Sequence, residues 1–548
     1  MFQQALKTAS AFATIYPELN AEDKTVQKVG LNDVPEDIHH LILSELVDSS
    51  PSTLLSVSQS SKTLQDAALP YMYRHLKLHQ APKGSKELLA YETLLDKFRG
   101  AAAKDIARHV RNITVQDQVP SEDLILILEK IVAFGRLREF NWNTSTHIPE
   151  KVLDKLHSTW PDLEISATIV DRHKAQIEAH HQMDLRLLSS PLLTRLTCAV
   201  YDQGSSMGEL SRSEWPKLSQ ALFPSSKLKN ASLEGIVGDT QPKSMPRLHF
   251  WLGADFSKLE QLSIQNVGYT SYLWDEAHCR SLRDSMDLSC LQALDFGDRN
   301  PEAFFEAFTG HLPNLKSLRF GFTRNSSLLP VKGFIDSLSA LESLRIDAAK
   351  AGLDELWPVI NKHKDTLKTL VLGPTWGTYC SPEYIDRSLL KTVANTFPKV
   401  KRLGWQVPFT DVNDKRLLKV LSKMNLRKLD LYINIPDQAS EYSEKLEGDA
   451  MSGSNNPPLK RAQSIASATR IAESISQKQK DPLEWLTLHI SRTLYMDRCQ
   501  PYMTHTAFQL RQKERPGADN EKYQVRGKMD WGWHSSPLLR EELLFEED

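Results

Sequence analysis

The 548-residue chain lacks the features that mark membrane-spanning, disulfide-rich or polyanion-binding proteins. No stretch approaches the roughly 18 consecutive apolar residues that a membrane-spanning helix needs. The five cysteines are scattered and never spaced as CxxC, which favours free thiols over disulfides, a zinc site or a redox pair. A formal net charge of -2 provides no overall field that attracts nucleic acid or an anionic membrane. We therefore expect a cytoplasmic or nuclear protein.

The sequence also has little that indicates catalysis. No GxxxxGK[ST] or GxGxxG string that would hold a nucleotide is present, and the two histidine pairs lack further ligands at metal-binding spacing. The segment Gly204–Gly208 fits GxSxG, but Asp202 and Gln203 separate it from the preceding strand-like segment, whereas a nucleophile elbow follows its strand directly. We predict no enzyme activity, cofactor or metal, with a serine hydrolase acting through Ser206 as the minor alternative.

Signals for short helices cluster between residues 31 and 78. A cap at Asp33 followed by a first-turn proline predicts a helix over about Pro35–Val47. The pair Ser50 and Pro51 predicts the start of a second helix, and a third would hold Leu64. The sequence thus predicts a small all-α module of about fifty residues.

This module has more apolar side chains than it can enclose. At 100° per residue, the first helix carries one apolar stripe and a second apolar face that includes Leu43. The stripe comprises Ile38, Leu41, Ile42 and Leu46. Because small domains enclose the lowest fraction of their surface, the surplus must pack either on the rest of the chain or on a partner.

A repeated LxxLxL pattern follows the helices. Its eight matches begin at Leu259, Leu291, Leu315, Leu341, Leu367, Val400, Leu426 and Leu483. From Leu291 the steps are 24, 26, 26, 33 and 26 residues, mostly within the 20 to 29 residues typical of leucine-rich repeats. Looser copies begin near Val110, and amphipathic helical stretches separate the motifs. We predict an α/β solenoid in which a parallel sheet is backed by outer helices.

Side chains between the repeated leucines should lie on the opposite, concave face of the sheet, because successive strand residues alternate. Such positions are usually solvated strand residues, and only a minority of them anchor a partner. Arginine and aromatic residues dominate the anchors of protein interfaces. The predicted target-binding residues are Arg319, Arg345, Asp347, Tyr432 and Trp485.

The repeat pattern stops over residues 436–481, a polar, serine-rich insertion. Its first half predicts disorder, and a short helix is expected near 467–477. Ser464 follows Lys460-Arg461, a setting that basophilic kinases favour, although an unmodified linker serine is the commoner outcome. Two strand-like segments and an acidic end then predict a C-terminal cap over 491–548.

The helical module resembles the F-box of fungal proteins. The resemblance is carried by Val34-Pro35-Glu36, Ile42-Leu43-Ser44-Glu45-Leu46, Leu54-Leu55-Ser56-Val57, Ser61-Lys62 and the closing segment Tyr71–Leu78. Val34 stands where the family usually has leucine, and Leu64 where many members have tryptophan. By this resemblance, the residues that would bind the Skp-type adaptor are Pro35, Ile38, Ile42, Leu46, Leu54 and Val57.

The resemblance implies the substrate-recognition subunit of a Skp-cullin-F-box ubiquitin ligase. The F-box-like domain would span 28–78, a helical linker 79–109 and the leucine-rich repeat array 110–490. The partners would be the adaptor, the cullin and a protein target, with no nucleic acid or membrane. The alternative is a leucine-rich repeat scaffold that has no link to ubiquitination.

Overall fold

A computed structural model of the chain describes twenty-one segments. These are residues 34–49, 51–79, 84–116, 119–169, 183–203, 212–222, 227–237, 247–248, 259–267, 272, 274–297, 299–322, 326–348, 350–373, 387–408, 414–435, 461–476, 479, 483–494, 502–512 and 523–530. The chain divides into two compact units, and the boundary in the sequence lies between Leu187 and Leu188.

The first unit opens with three helices: α1, Glu36–Ser49; α2, Pro51–Ser58; and α3, Lys62–Met72. Their core consists of Leu43, Leu46, Leu54 and Ala68. Helix α3 begins where the sequence offers a cap, since the Ser61 side chain accepts a hydrogen bond from the Leu64 amide at 3.2 Å. The three predicted helices are therefore present.

Strands and helices alternate in the rest of the first unit. The elements are β1, His75–His79; α4, Lys86–Arg99; α5, Ala103–Ala107; β2, Asn112–Gln116; α6, Ser121–Phe134; β3, Glu139–Asn143; α7, Glu150–Thr159; and β4, Glu164–Ile169. The four strands pair in parallel in chain order. A buried row crosses them at Leu76, Ile113, Phe140 and Ile165.

The sheet begins earlier than the sequence predicts. The repeat pattern predicts a start near Val110, and the family resemblance places His75–Leu78 in the F-box-like domain and His79 in the linker behind it. In the structure these residues form β1, which pairs with β2. Leu76 and Leu78 are buried while Lys77 is exposed, a period-two pattern that identifies a strand. The predicted linker also contains two helices, α4 and α5.

The second unit continues the alternation. Its elements through the middle of the chain are α8, Leu185–Leu188; β5, Leu193–Gln203; β6, Arg212–Ser213; α9, Trp215–Leu222; β7, Asn230–Val237; β8, Gln261–Val267; α10, Glu276–Ser285; β9, Ala293–Asp295; α11, Glu302–Phe308; β10, Ser317–Phe322; α12, Leu329–Ser337; and β11, Ser343–Ala348. Helix α8 overlaps the boundary between the units.

The remaining elements are α13, Lys350–Asn361; β12, Thr369–Gly373; α14, Arg387–Thr396; β13, Arg402–Pro408; α15, Lys415–Leu421; β14, Lys428–Ile435; α16, Arg461–Ser476; β15, Trp485–Leu494; β16, Tyr502–Gln512; and β17, Tyr523–Asp530. Among the described residues of this unit, ten strands, β5 and β7 to β15, form parallel pairs. The fold is therefore α/β with parallel strands, as the repeat pattern predicts.

The strand register follows the leucine motif. One buried row crosses β10 to β15 at Leu318, Leu344, Leu370, Leu403, Leu429 and Leu486. A second buried row, two residues further along each strand, contains Phe320, Ile346, Leu372, Trp405, Leu431 and Leu488. Because one-residue slippage would move every apolar side chain to the other face, these rows fix the register.

The end of the repeat region is partly as predicted. Strands β16 and β17 pair antiparallel beside β15, which confirms the two expected terminal strands. Within the predicted insertion, α16 is longer than the expected helix and buries Ile471, Ala472 and Ile475. Ser464 lies in α16. The first half of the insertion 436–481, which the sequence predicts to be disordered, and the acidic end lie outside the described residues.

Helix α11 packs on the leucine-bearing face through phenylalanine rings. Phe305 lies 5.4 Å from Phe320 on β10 and 4.9 Å from Phe334 on α12, measured between ring centroids. Phe304 stacks on Phe308 at 4.2 Å and meets Phe296 edge to face at 4.9 Å. This cluster holds two consecutive repeats together, because the buried ring of Phe305 on α11 contacts rings on both β10 and α12.

Substituting Phe305→Ala should lower the free energy of unfolding by about 3–5 kcal/mol, because it leaves a cavity among rings that cannot collapse around it. Leu329→Ala is the matched control, since Leu329 is 79% exposed and its loss should cost less than about 0.5 kcal/mol. Urea unfolding followed by circular dichroism measures both. Equal effects from the two substitutions would contradict this packing.

Candidate interaction surfaces

The three-helix module closes its own core and leaves apolar side chains outside. Leu43 and Ala68 are fully buried, and Tyr71 donates a hydrogen bond to the His40 carbonyl oxygen at 3.1 Å, which links α3 to α1. By contrast, Leu41 on α1 is 63% exposed and Leu55 on α2 is 47% exposed. The module therefore presents leucine side chains to solvent on two successive helices.

The predicted adaptor-binding residues divide into two groups. Pro35 is exposed, and Ile38, Ile42 and Val57 are half-buried. Leu46 and Leu54 belong to the module's own core.

Surface contact by Leu46 and Leu54 is therefore the part of the prediction that the structure corrects. Helical spacing places a residue on a stripe but does not say which stripe the neighbouring helices cover. Leu41 lies on the predicted stripe, but neither Leu41 nor Leu55 is among the predicted contacts.

In the second unit, polar side chains fill the strand face opposite the leucines. In register, Arg319 of β10 neighbours Arg345 of β11, and two residues further along Asp347 lies between Gly321 and Gly373. These are the positions that the alternation of the sequence assigns to this face. The structure therefore brings three of the five predicted target-binding residues together.

The three charged side chains form a buried ionic cluster with Asp295. Arg319 contacts an Asp347 carboxylate oxygen through both Nε and Nη2 at 3.3 Å, and its Nη1 lies 3.5 Å from Asp295. Arg345 Nε lies 3.5 Å from the other Asp347 oxygen. Asp347 is fully buried, so the two guanidinium groups supply the stabilisation that water would otherwise give its carboxylate.

Gly373 makes room for this carboxylate. A Cβ atom at position 373 would lie 2.4 Å from Asp347 Oδ1, closer than real atoms approach. A glycine on β12 is therefore required where the neighbouring strand β11 carries the buried aspartate. The sequence motif predicts neither this contact nor the pairing, because both arise between repeats.

A second cluster lies on β13 to β15. Arg402 Nε donates to Asp430 at 2.8 Å, His489 Nε2 lies 3.9 Å from the same carboxylate, and the Tyr432 ring stacks on His489 with centroids 4.5 Å apart. Burial alone would raise the pKa of Asp430, but the Arg402 charge and the contacts with His489 outweigh burial and hold it below its ordinary value.

These contacts correct the expectation of solvated anchors on the concave face. Arg319, Arg345, Asp347 and Tyr432 are all buried within the chain, and only Trp485 is half-exposed. Side chains on neighbouring parallel strands are about 4.8 Å apart, so complementary charges pair laterally. The first four residues thus contact one another or their neighbours in the sheet.

The remaining sequence predictions concern a hydrolase motif, metal binding and membrane-spanning helices. Ser206 and its GxSxG string lie outside the described residues. In the described part of the chain, no group of three or more histidine, cysteine or acidic residues could hold a metal ion. None of the helices described is both long and apolar enough to cross a membrane.

Comparison with protein-family models finds no match, and comparison with curated proteins finds no relative.

Substituting Asp347→Asn should lower the free energy of unfolding by about 3–5 kcal/mol, because two largely buried guanidinium groups lose their shared charge partner. Asp336→Asn is the control, since Asp336 forms a solvent-exposed pair with Lys362 that should contribute less than about 1 kcal/mol. Denaturant unfolding of the three proteins at neutral pH makes the comparison. An Asp347→Asn midpoint equal to that of the control would contradict the cluster.

The stabilising effect of Asp430 should depend on pH. Its folded pKa lies below the ordinary value of about 3.9, so its contribution is complete above that value and is lost as pH falls towards the folded pKa. The difference in unfolding free energy between wild type and Asp430→Asn should therefore be present in full near pH 5 and shrink below about pH 4. Thermal unfolding across this range tests it. A difference that grows on acidification would refute the assignment.

Proposed function

We propose that the chain is the substrate-recognition subunit of a Skp-cullin-F-box ubiquitin ligase that acts in the cytoplasm or nucleus. The three-helix module binds the Skp-type adaptor, and the repeat array binds a protein target. The cullin joins through the adaptor and brings the conjugating enzyme. The chain positions its target and contributes no catalytic group of its own.

The observation that best supports adaptor binding is the surface of the three-helix module. The F-box-like segment folds around its own core, so Leu41 and Leu55 are held in water on successive helices. Exposed leucines on two neighbouring helices give an adaptor apolar points of contact. With Pro35, Ile38, Ile42 and Val57 at or near the surface, these leucines define the proposed docking surface.

In the repeat array, residues at the beginning of neighbouring strands support the proposal of target binding. We assign it to the leucine-rich repeats, because leucines occupy the first buried row and, among the described residues, a helix separates each pair of successive strands from β8 to β15. On β13 to β15, Arg402, Lys428 and Trp485 are neighbours in register, and all three are exposed or half-exposed. Arginine and tryptophan are enriched in interface hot spots. This row replaces the buried residues as the proposed target contact.

One observation favours the alternative, a repeat scaffold without a link to ubiquitination. Only Tyr73 and Arg74 separate α3 from β1, and β1 already pairs with β2. Terminal repeats of solenoids need a cap that shields their core from water. The three helices would then serve as that cap, and their exposed leucines would bind no adaptor.

Co-purification from cells decides between the two functions. Tagged wild-type chain should recover the adaptor and cullin, and the double variant Leu41→Asp/Leu55→Asp should recover at least about tenfold less, since charges replace apolar contacts. Both positions are exposed, so the variant should keep its fold.

Leu329→Asp is the control, because it makes one such leucine-to-aspartate change at an exposed position of the second unit. It should recover as much adaptor as the wild type. Wild-type chain that recovers no adaptor favours the scaffold, and undiminished recovery by the double variant rejects this docking surface.

A further inference from the structure

The strand face opposite the buried apolar row is polar and partly exposed in the first unit. On β2, β3 and β4, the third and fifth residues of each strand lie on this face. The six residues are Thr114, Gln116, Asn141, Asn143, Ser166 and Thr168. All six side chains are uncharged amides or hydroxyls, and all except that of Thr114 are half-buried. We call these six residues the polar face.

The corresponding positions of the second unit are closed to solvent. From β10 to β15, the third and fifth residues of every strand are buried. Charged side chains at these positions neutralise one another, as Arg319 and Asp347 do at 3.3 Å. The polar face carries no charge at any of its six positions and remains partly exposed. The two units therefore use the same strand positions differently, and the first unit keeps them accessible.

Most side chains of the polar face form no hydrogen bond with the described part of the chain. Thr114 and Asn141 are the exceptions, because Thr114 Oγ1 accepts from Asn141 Nδ2 at 3.2 Å and lies 2.6 Å from His75 Nε2. The side chains without a described hydrogen bond are those of Gln116, Asn143, Ser166 and Thr168. A carboxamide offers two donors and an acceptor, and a hydroxyl offers both functions. The polar face therefore presents donors and acceptors that the described chain does not use.

The spacing of these groups matches that of an extended polypeptide. Asn141 and Asn143 are two residues apart on β3, which corresponds to about 6.6 Å along the strand. An extended chain that lies along β3 repeats its backbone N–H and C=O groups on one side with the same period. Each backbone amide needs an acceptor for its N–H and a donor for its C=O, and a carboxamide supplies both. Gln116 on β2 and Ser166 on β4 would flank such a chain, because neighbouring strands are about 4.8 Å apart.

Other classes of ligand match the polar face less well. A nucleic acid needs cations along the path of its backbone, and none of the six residues is charged. Sites for small organic ligands are lined mainly by apolar and aromatic side chains, which these six positions lack. A charged protein segment would find no opposite charge on this face. The chemistry therefore favours an uncharged segment whose backbone amides are accessible.

A cleft at the start of these strands gives such a segment room to continue. Its volume is about 640 Å³, and its lining includes the first residues of β2, β3 and β4, which are Asn112, Glu139 and Glu164. The lining contains two arginines and three carboxylates in all, so it carries both signs of charge. A cleft of this composition accommodates polar side chains without selecting one strongly charged group.

We propose that the polar face binds an unfolded, uncharged protein segment in an extended conformation and recognises it through its backbone. The segment lies along β3, its amides pair with Asn141, Asn143 and the side chains beside them, and it leaves the sheet through the cleft. Recognition depends on an accessible backbone and not on one particular side chain. The polar face shares no residue with the proposed adaptor and target contacts, and its binding does not depend on the proposed ligase function.

Two fluorescent peptide pools test the proposal on the purified full chain, without adaptor. Both contain short random sequences of serine, threonine, asparagine, glutamine, alanine and valine, and in one pool every second backbone nitrogen is methylated. The unmethylated pool should bind at least about tenfold more tightly, because methylation removes N–H donors and leaves their acceptors unpaired. Gln116→Ala/Asn143→Ala should abolish that preference. Its melting temperature should stay unchanged, since neither side chain forms a described hydrogen bond, which separates lost binding from lost folding.

Ser343→Ala/Thr369→Ala is the matched control, because it removes two half-buried polar side chains that are neighbours in register in the second unit. It should bind the unmethylated pool as the wild type does. Equal or absent binding of the two pools, or a preference that survives in Gln116→Ala/Asn143→Ala, overturns the proposal. Stronger competition by polyuridine or dextran than by unlabelled peptide would do the same. So would a wild-type dimer in sedimentation that this variant loses, since a second copy would then occupy the face.

Discussion

The parallel register of the leucine rows is the constraint on which the rest of this structure depends. One strand and one helix cannot bury their own apolar face, so each repeat requires its neighbours. Once Leu318, Leu344 and Leu370 lie side by side, every intervening residue is assigned to the opposite face. The chemistry of that face then depends on which side chains meet between repeats, at a distance set by the sheet.

The short distance between neighbouring strands explains why charged residues form different contacts in different parts of the chain. In the second unit, Arg319 and Asp347 lie on neighbouring strands and neutralise each other inside the protein. In the first unit, Arg74, Arg111 and Arg138 bring like charges together. A buried ion pair favours the register that brings its two charges together, whereas like charges on neighbouring strands repel one another. The same strand spacing therefore gives different electrostatic outcomes, depending on which residues the sequence places there.

The sequence predicts the periodic features of the fold but not the side-chain contacts that form between repeats. Leucine spacing was sufficient to predict the parallel strands, because each motif reports its own inward face. It could not predict that Arg345 and Tyr432 would be buried, since the residues beside them on the adjacent strands lie 26 or more positions away in the sequence and only the folded register brings them together.

Strand β1 was missed for a related reason. Its period-two alternation covers only five residues, and the family resemblance placed most of them in the helical module. The helical module shows the same limit. The sequence predicts the apolar stripe of α1, but not that Leu46 is buried in the core while Leu41 is exposed. The packing of α2 and α3 decides which residues of the stripe are covered.

We propose that helices α1 to α3 bind an adaptor while the repeats remain available for a target. Hydrogen–deuterium exchange of the full chain, with and without purified Skp-type adaptor, measures both parts of this proposal. Amides of α1 and α2 should gain protection, while those of β13 to β15 should exchange as before. Unchanged exchange in α1 and α2, or protection confined to the repeats, would contradict it.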